Sequence, residues 1–147
     1  MRIIFCVAAS LAVSGCATSY QPKSFTGGYS DLQLNADTFK ISVEGNGYTS
    51  KDRASNLAML RAADLTIEHG GSRFVVVEGG TESNYAGSTS GTAQVIGRTA
   101  FFTPGAPIFK PSSDLVIRIV RPPDPAFAGA LDASLIATQL RPILVPQ

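Results

Sequence analysis

The sequence predicts an α+β fold: a small sheet of three to four strands packed on one long helix, with a mobile Gly/Ser/Thr-rich insert. Three observations carry this. Thr38 to Glu44 alternates cleanly, with Phe39, Ile41 and Val43 on one face and Lys40, Ser42 and Glu44 on the other, the period of a half-buried strand. Lys51 to His69 holds nineteen residues without Gly or Pro, then stops at Gly70-Gly71, which reads as a helix with a strong end signal. Residues 79–113 are dominated by Gly, Ser, Thr, Asn and Pro, a composition poorly suited to a core.

The elements follow in order. Leu32 and Leu34 alternate with Asp31 and Gln33, a short edge strand, and Asn35-Ala36-Asp37 is a turn leading back into Thr38 to Glu44 as a hairpin. Thr49 is placed to cap the helix, with Asp52 in its first turn. At 100° steps Ala54, Ala58, Met59, Leu60, Ala63, Leu65 and Ile67 form a broad apolar arc. Arg53, Arg61, Asp64 and Glu68, with Leu57 among them, form a narrow polar strip. Phe74 to Val77 is a continuous apolar run and predicts an inner strand, so strand, helix and strand make a crossover with parallel flanking strands. Inside the insert, Val95, Ile96, Phe101 and Phe102 give residues 93–102 weak strand character. Leu115 to Val120 is a clear strand ended by Arg121-Pro122-Pro123, and Ala126 to Leu140 has room for a short C-terminal helix.

The start of the chain concerns location. Met1-Arg2 is basic, Ile3 to Val13 is apolar apart from Ser10, and Ser14-Gly15 are small. A charged start, a short apolar core and a small-residue exit make a secretory signal peptide over residues 1–15, too short to span a bilayer. Val13-Ser14-Gly15-Cys16 is similar to a bacterial lipobox, in which the thiol is acylated (palmitate and related chains) and the chain is cut before the cysteine. Small residues give the peptidase access to that bond. Two or more acyl chains anchor stably, so Cys16 is the predicted lipidation site and the membrane the predicted partner. Residues 16–28 then read as a polar lipidated tether, 29–121 as the α+β domain with 79–113 as its flexible insert, and 122–147 as a C-terminal tail. Ala17 stands where an aspartate resembling an inner-membrane retention signal would be, which points to the outer membrane, facing the periplasm.

Composition excludes several classes. The two cysteines are Cys6, inside the leader, and Cys16, so the mature chain has neither a disulfide nor a cysteine-based metal site. Loss of Arg2 with the leader leaves eleven basic residues (12 less one) against eleven acidic ones. No basic stripe points to nucleic acid, and no metal or cofactor is called for.

Chemistry-bearing motifs are few. Gly45-Asn46-Gly47-Tyr48-Thr49-Ser50 follows a strand and opens a helix, as a dinucleotide fingerprint does, but Ser50 replaces the third glycine. The next acidic residue after the second strand, Glu78, lies 33 residues beyond Gly45, where the fingerprint expects about 20. Weak anion or small-ligand binding through Tyr48, Ser50 and Lys51 is the remaining use of this turn. His69 suits a helix C-terminus, and Asp64 and Glu68 with Arg61 suit a salt-bridged strip better than an acid pair. No catalytic residue is assigned. Of Tyr20, Tyr29, Tyr48 and Tyr85, Tyr48 beside the glycine turn is the candidate contact.

The blocks "GGYS", "GNGYTS", "LRAADLTIEHG", "FVVV" and "KPSSDLVIRIV" resemble a family of small proteobacterial lipoproteins over residues 16–120, with the middle insert alike only in composition. The resemblance implies an envelope-attached α+β domain and brings no activity. The expectation is a lipid-anchored envelope protein with a non-enzymatic structural or interaction role, contacting envelope proteins or cell-wall components. The alternative is a small-ligand or anion-binding periplasmic module centred on Gly45 to Lys51.

Overall fold

The computed structural model describes residues 17–88, 92–96, 99–103 and 107–145. The predicted signal peptide and Cys16 lie outside the described residues. The chain is mixed α/β: strands β1 (Gly28–Asn35), β2 (Thr38–Glu44), β3 (Arg73–Ser88), β4 (Thr92–Ile96), β5 (Thr99–Thr103), β6 (Pro107–Val120) and β7 (Leu131–Asp132), with helices α1 (Lys51–Glu68) and α2 (Ala133–Leu144). Five strands form one antiparallel sheet in the order β1-β2-β6-β3-β7, and β4 and β5 pair separately.

The predicted hairpin forms: β1 and β2 pair from Gly28↔Glu44 to Asn35↔Thr38 around the turn at Ala36-Asp37. Phe39, Ile41 and Val43 are buried and lie on the face that meets α1. β2 and β3 both run antiparallel to β6, so they are parallel to each other with β6 between them. The strand–helix–strand crossover therefore exists, split by a strand that arrives later in the sequence.

Three expectations need correction here. The sheet has five strands rather than three or four, because the tail contributes β7, paired with β3 at Phe74↔Leu131. The described residues of 79–113 are strands rather than loop. β3 and β6 pair as far as Ser88↔Pro107, with register shifts at Val76/Glu78 and Tyr85/Gly87, while β2 ends against β6 at Glu44↔Ser112, so the far part of the pair is a two-stranded ribbon. The weak strand signal at 93–102 lies in the β4–β5 hairpin between its arms. Their sequence carries no period-two hydrophobicity, so no local pattern reveals them. Of the apolar run Phe74 to Val77, only Phe74 is buried. A bulge between Val76 and Glu78 shifts the register, and Val77 is 62% exposed.

The helix has its predicted extent to within one residue, but its cap and its buried circumference differ from the expectation. Its N-cap is Ser50, whose Oγ accepts the Arg53 N–H at 3.1 Å; Thr49 is committed elsewhere. At the far end Gly70 takes φ +69°, its N–H donates to Ile67 O, and the Gly71 N–H donates to Thr66 O, a Schellman closure that a Cβ would strain. Ala54, Ala58, Leu60, Ala63 and Leu65 are buried as predicted, but Leu57 joins them at 1% exposure and Ile67 is 46% exposed. The strip expected to be wet is overlaid. Arg53 reaches the carbonyls of Thr18 and Leu144, and Asp64 is bonded by Tyr20 and Arg141. Covering Leu57 in this way removes apolar area worth about 2 kcal/mol.

The tail, too, belongs to the domain. A 3-10 turn at Pro125–Gly129 precedes β7, and α2 starts at Ala133, later than the Ala126 expected, capped by Asp132. It packs on α1, burying Ala133, Ala137 and Leu144. The spacing of these residues is helical, but Pro125 and Gly129 disguise the start. Among the described residues no helix is long and apolar enough to cross a membrane.

Candidate functional site

Two surfaces stand out, one at the point where the chain enters the domain and one on the sheet. At the entry, residues 17–28 do not hang free as a tether. Thr18 is 1% exposed. Its N–H donates to Thr49 Oγ1 at 3.0 Å, its hydroxyl oxygen accepts the Asn46 N–H at 2.9 Å, and its carbonyl accepts Arg53 Nε–H at 3.0 Å. The hydroxyl also reaches the Thr26 carbonyl, at 3.3 Å. Three separate segments thus close on one threonine: the Ser24 to Gly27 turn, the Gly45 to Ser50 turn and the first turn of α1.

Glycine makes that closure possible. Gly27 sits at φ +99°, and a Cβ there would lie 2.5 Å from the Glu44 carbonyl oxygen and 2.9 Å from Thr18 Oγ1. The segment is fastened again by Tyr20. Its ring lies 4.9 Å from that of Tyr29, and its hydroxyl donates to Asp64 Oδ2 at 2.5 Å. Burial first, and the adjacent carboxylate second, push the Tyr20 hydroxyl well above the usual phenol range. Arg61 completes the seam. Its guanidinium lies over the Tyr29 ring at 4.7 Å and forks onto Asp31, with Nε to Oδ1 at 2.9 Å and Nη2 to Oδ2 at 3.1 Å, while also holding Glu68. Burial alone would lower its pKa, but the two carboxylates outweigh that and hold it above the ordinary guanidinium value.

The predicted site residues fall as follows. Tyr48 points into solvent at 78% exposure, Ser50 is spent as the helix cap, and Lys51 is exposed at the helix start. The turn uses its own polar groups: the Tyr48 N–H donates to Asn46 Oδ1, and Thr49 Oγ1 lies 3.0 Å from that same oxygen. Gly45 is there for close packing, since a Cβ would come within 2.9 Å of the Pro111 carbonyl oxygen. Asp64 and Glu68 do not converge; one faces Tyr20 and Arg141, the other Arg61. His69 caps the helix, with Nδ1 3.0 Å from Leu65 O and its ring 4.6 Å from that of Phe39. Among the described residues no group of His, Cys, Asp and Glu is arranged to hold a metal ion.

The second surface is the sheet face turned away from the helices. α1 packs on β2, β3 and β6, and α2 packs on α1, so neither covers it. Register carries a row Leu32–Lys40–Val116–Glu78 across four strands, with Asp114 and Gly80 beside it. An open groove of about 450 Å³ runs here, lined among others by Leu34, Lys40, Glu78, Gly80, Asp114 and Val116. Leu32 and Leu34 are 60% and 51% exposed, and Lys40 Nζ stands 3.9 Å from Asp114 Oδ2. Sequence reading placed Lys40 on the wet side of its strand, but the groove needs β6 and β3 as neighbours, a pairing no local pattern shows.

No protein-family model matches the chain, and neither the curated proteins nor the solved structures give a match.

Proposed function

We propose that this is a lipid-anchored cell-envelope protein, attached through Cys16 and facing the periplasm from the outer membrane, with a non-enzymatic interaction role. The Val13-Ser14-Gly15-Cys16 tetrad after a short apolar run supports the anchor. The observation that carries the interaction role is the sheet face that neither helix covers. A mixed groove with exposed Leu34 in its lining and Leu32 in the same cross-strand row offers apolar contact together with Lys40, Glu78 and Asp114 to orient a protein or cell-wall partner. A face of this kind holds a partner by complementarity and does no bond chemistry.

The anchor is tested by the intact mass of the mature chain and by Cys16→Ser, which is expected to leave the membrane fraction. An unmodified thiol at Cys16 would overturn it. The interaction face is tested with a photoreactive residue in place of Leu34 in cells, against the same residue at Gln139 on the exposed side of α2. Adducts of one defined mass from position 34 only, lost on Val116→Asp, are expected; equal capture from both positions would overturn the role of the face. The alternative, a small-ligand or anion site at Gly45 to Lys51, would have to use the exposed Tyr48 and Lys51, since Ser50 is engaged as the cap. Thermal stabilisation by phosphate that is lost in Lys51→Ala would favour it.

A further inference from the structure

Phe25 and Tyr48 are the two most exposed aromatic residues among the described side chains, at 104% and 78%. They are 23 positions apart in sequence, yet both stand beside Thr18. Phe25 is followed by Thr26, whose carbonyl lies 3.3 Å from the Thr18 hydroxyl, and Tyr48 is followed by Thr49, whose hydroxyl accepts the Thr18 N–H. Each ring sits at the tip of a tight turn, the first closed by Ser24↔Gly27 and the second held by Asn46. A large aromatic ring left mostly in water at a turn tip buries little area within the fold.

Covalent geometry adds the deciding constraint. Only Ala17 stands between Cys16 and Thr18, so the Cys16 Cα lies within about 7 Å of the Thr18 Cα. Resting on the acylation proposed above, acyl chains on Cys16 place Thr18 and both neighbouring turns at the depth of the lipid headgroups. No tether intervenes, because the chain is locked into the domain from Thr18 onward. Charge around this edge is balanced: Lys23 is paired with Glu44, and Lys51 is followed by Asp52. Attraction to anionic lipid is therefore a minor term, and amphipathic rings at the interface are the major one.

We infer that the Phe25 and Tyr48 turns form a membrane-seating edge: both rings enter the headgroup layer beside the acylated Cys16 and fix the orientation of the domain on the bilayer. Seated on that edge, the protein holds its Asn35 to Asp37 turn away from the lipid, because β2 runs from that turn to Glu44 at the seated end.

The test uses the mature acylated chain, its intact mass measured first so that the anchor is decided separately. It is reconstituted in phosphatidylcholine vesicles with an environment-sensitive fluorophore at Phe25→Cys, Tyr48→Cys or Ala36→Cys. Labels at 25 and 48 are expected to shift to the blue and to be quenched at least threefold more than the label at 36 by headgroup-level nitroxide lipids. The same ranking is expected when phosphatidylglycerol is added. An acylated chain whose three labels quench alike would overturn the seating while leaving the anchor intact. Quenching at 25 and 48 only with phosphatidylglycerol would replace ring insertion by charge attraction and so overturn it as well. A chain without acyl groups would remove both proposals together.

Discussion

The hydroxyl oxygen of Thr49 accepts the backbone N–H of Thr18 at 3.0 Å, joining two residues 31 positions apart inside a buried junction. Sequence alone makes Thr49 a helix cap and Thr18 part of a spacer. Their contact makes the first ordered residues of the chain a structural part of the sheet–helix joint.

Thr49→Val keeps the shape of the side chain and removes the acceptor, leaving the Thr18 N–H buried without it. The expected loss is about 1–3 kcal/mol, the cost of stranding a buried donor. Thermal melting checks the magnitude. Limited proteolysis checks the place: cleavage between Thr18 and Gly28, slow in the parent, is expected to become fast. A variant that melts as the parent does would show that the junction contributes nothing.

Tyr20→Phe is expected to cost about 1–2 kcal/mol at neutral pH, the lower range for a hydrogen bond to a charged group because the site is partly open to water. Its pH dependence has a definite sign. The hydroxyl pKa is raised in the folded state, so the native chain keeps a proton that the unfolded chain releases near pH 10. The stabilisation is therefore complete below about pH 10 and is lost as pH rises beyond it. The gap in melting temperature between parent and Tyr20→Phe should stay constant from pH 7 to 9 and narrow above pH 10. A gap that widens there would contradict the assignment.

Leu57→Ala and Ile67→Ala separate the observed helix faces from those that spacing predicts. Leu57 is 1% exposed on a helix that the N-terminal segment crosses at Arg53 and Asp64 and that α2 packs against, and truncating it is expected to cost about 2–4 kcal/mol. Ile67 is nearly half exposed, and its truncation is expected to stay within about 0.5 kcal/mol. Chemical denaturation of both variants, compared at equal slope, decides this.

Two deletions probe the ribbon. Replacing residues 84–110 with a two-residue turn joins Ser83 to Pro111, which already pair, and is expected to move the melting temperature by only a few degrees. Replacing 80–112 also removes Ser112, which pairs with Glu44, and Pro111, whose carbonyl accepts the Gly45 N–H; that variant is expected to lose cooperative unfolding. If both deletions melt alike, the register between β2 and β6 is not what holds the edge.

The parts of this fold that were legible in the sequence are those with one dry face. Phe39, Ile41 and Val43 announce β2, and Lys51 to His69 announces α1 within one residue at its end. The β3–β6 ribbon was hidden because residues such as Thr81, Glu82 and Ser83 carry no hydrophobic alternation; their strand character comes from the partner strand across from them. Leu57 was misplaced because a helical wheel shows one helix and cannot show the segment from Ala17 to Tyr29 lying over it. At the candidate site, the glycine turn beside it singles out Tyr48 in the sequence, whereas Phe25 and Thr18 carry no such signal, since their placement depends on contacts between segments 8 and 31 positions apart.

The strand at the centre of the sheet, β6, is supplied by residues 107–120, after every other strand except the two-residue β7. A chain emerging from its N-terminus can close the β1–β2 hairpin and wind α1, but it has nothing to zip β2 and β3 together until those residues arrive. Folding should therefore be a late and abrupt event, with contacts of long sequence separation formed nearly at once. Until then the polypeptide remains a threadable string, the state in which a chain can pass through a narrow pore before it sets.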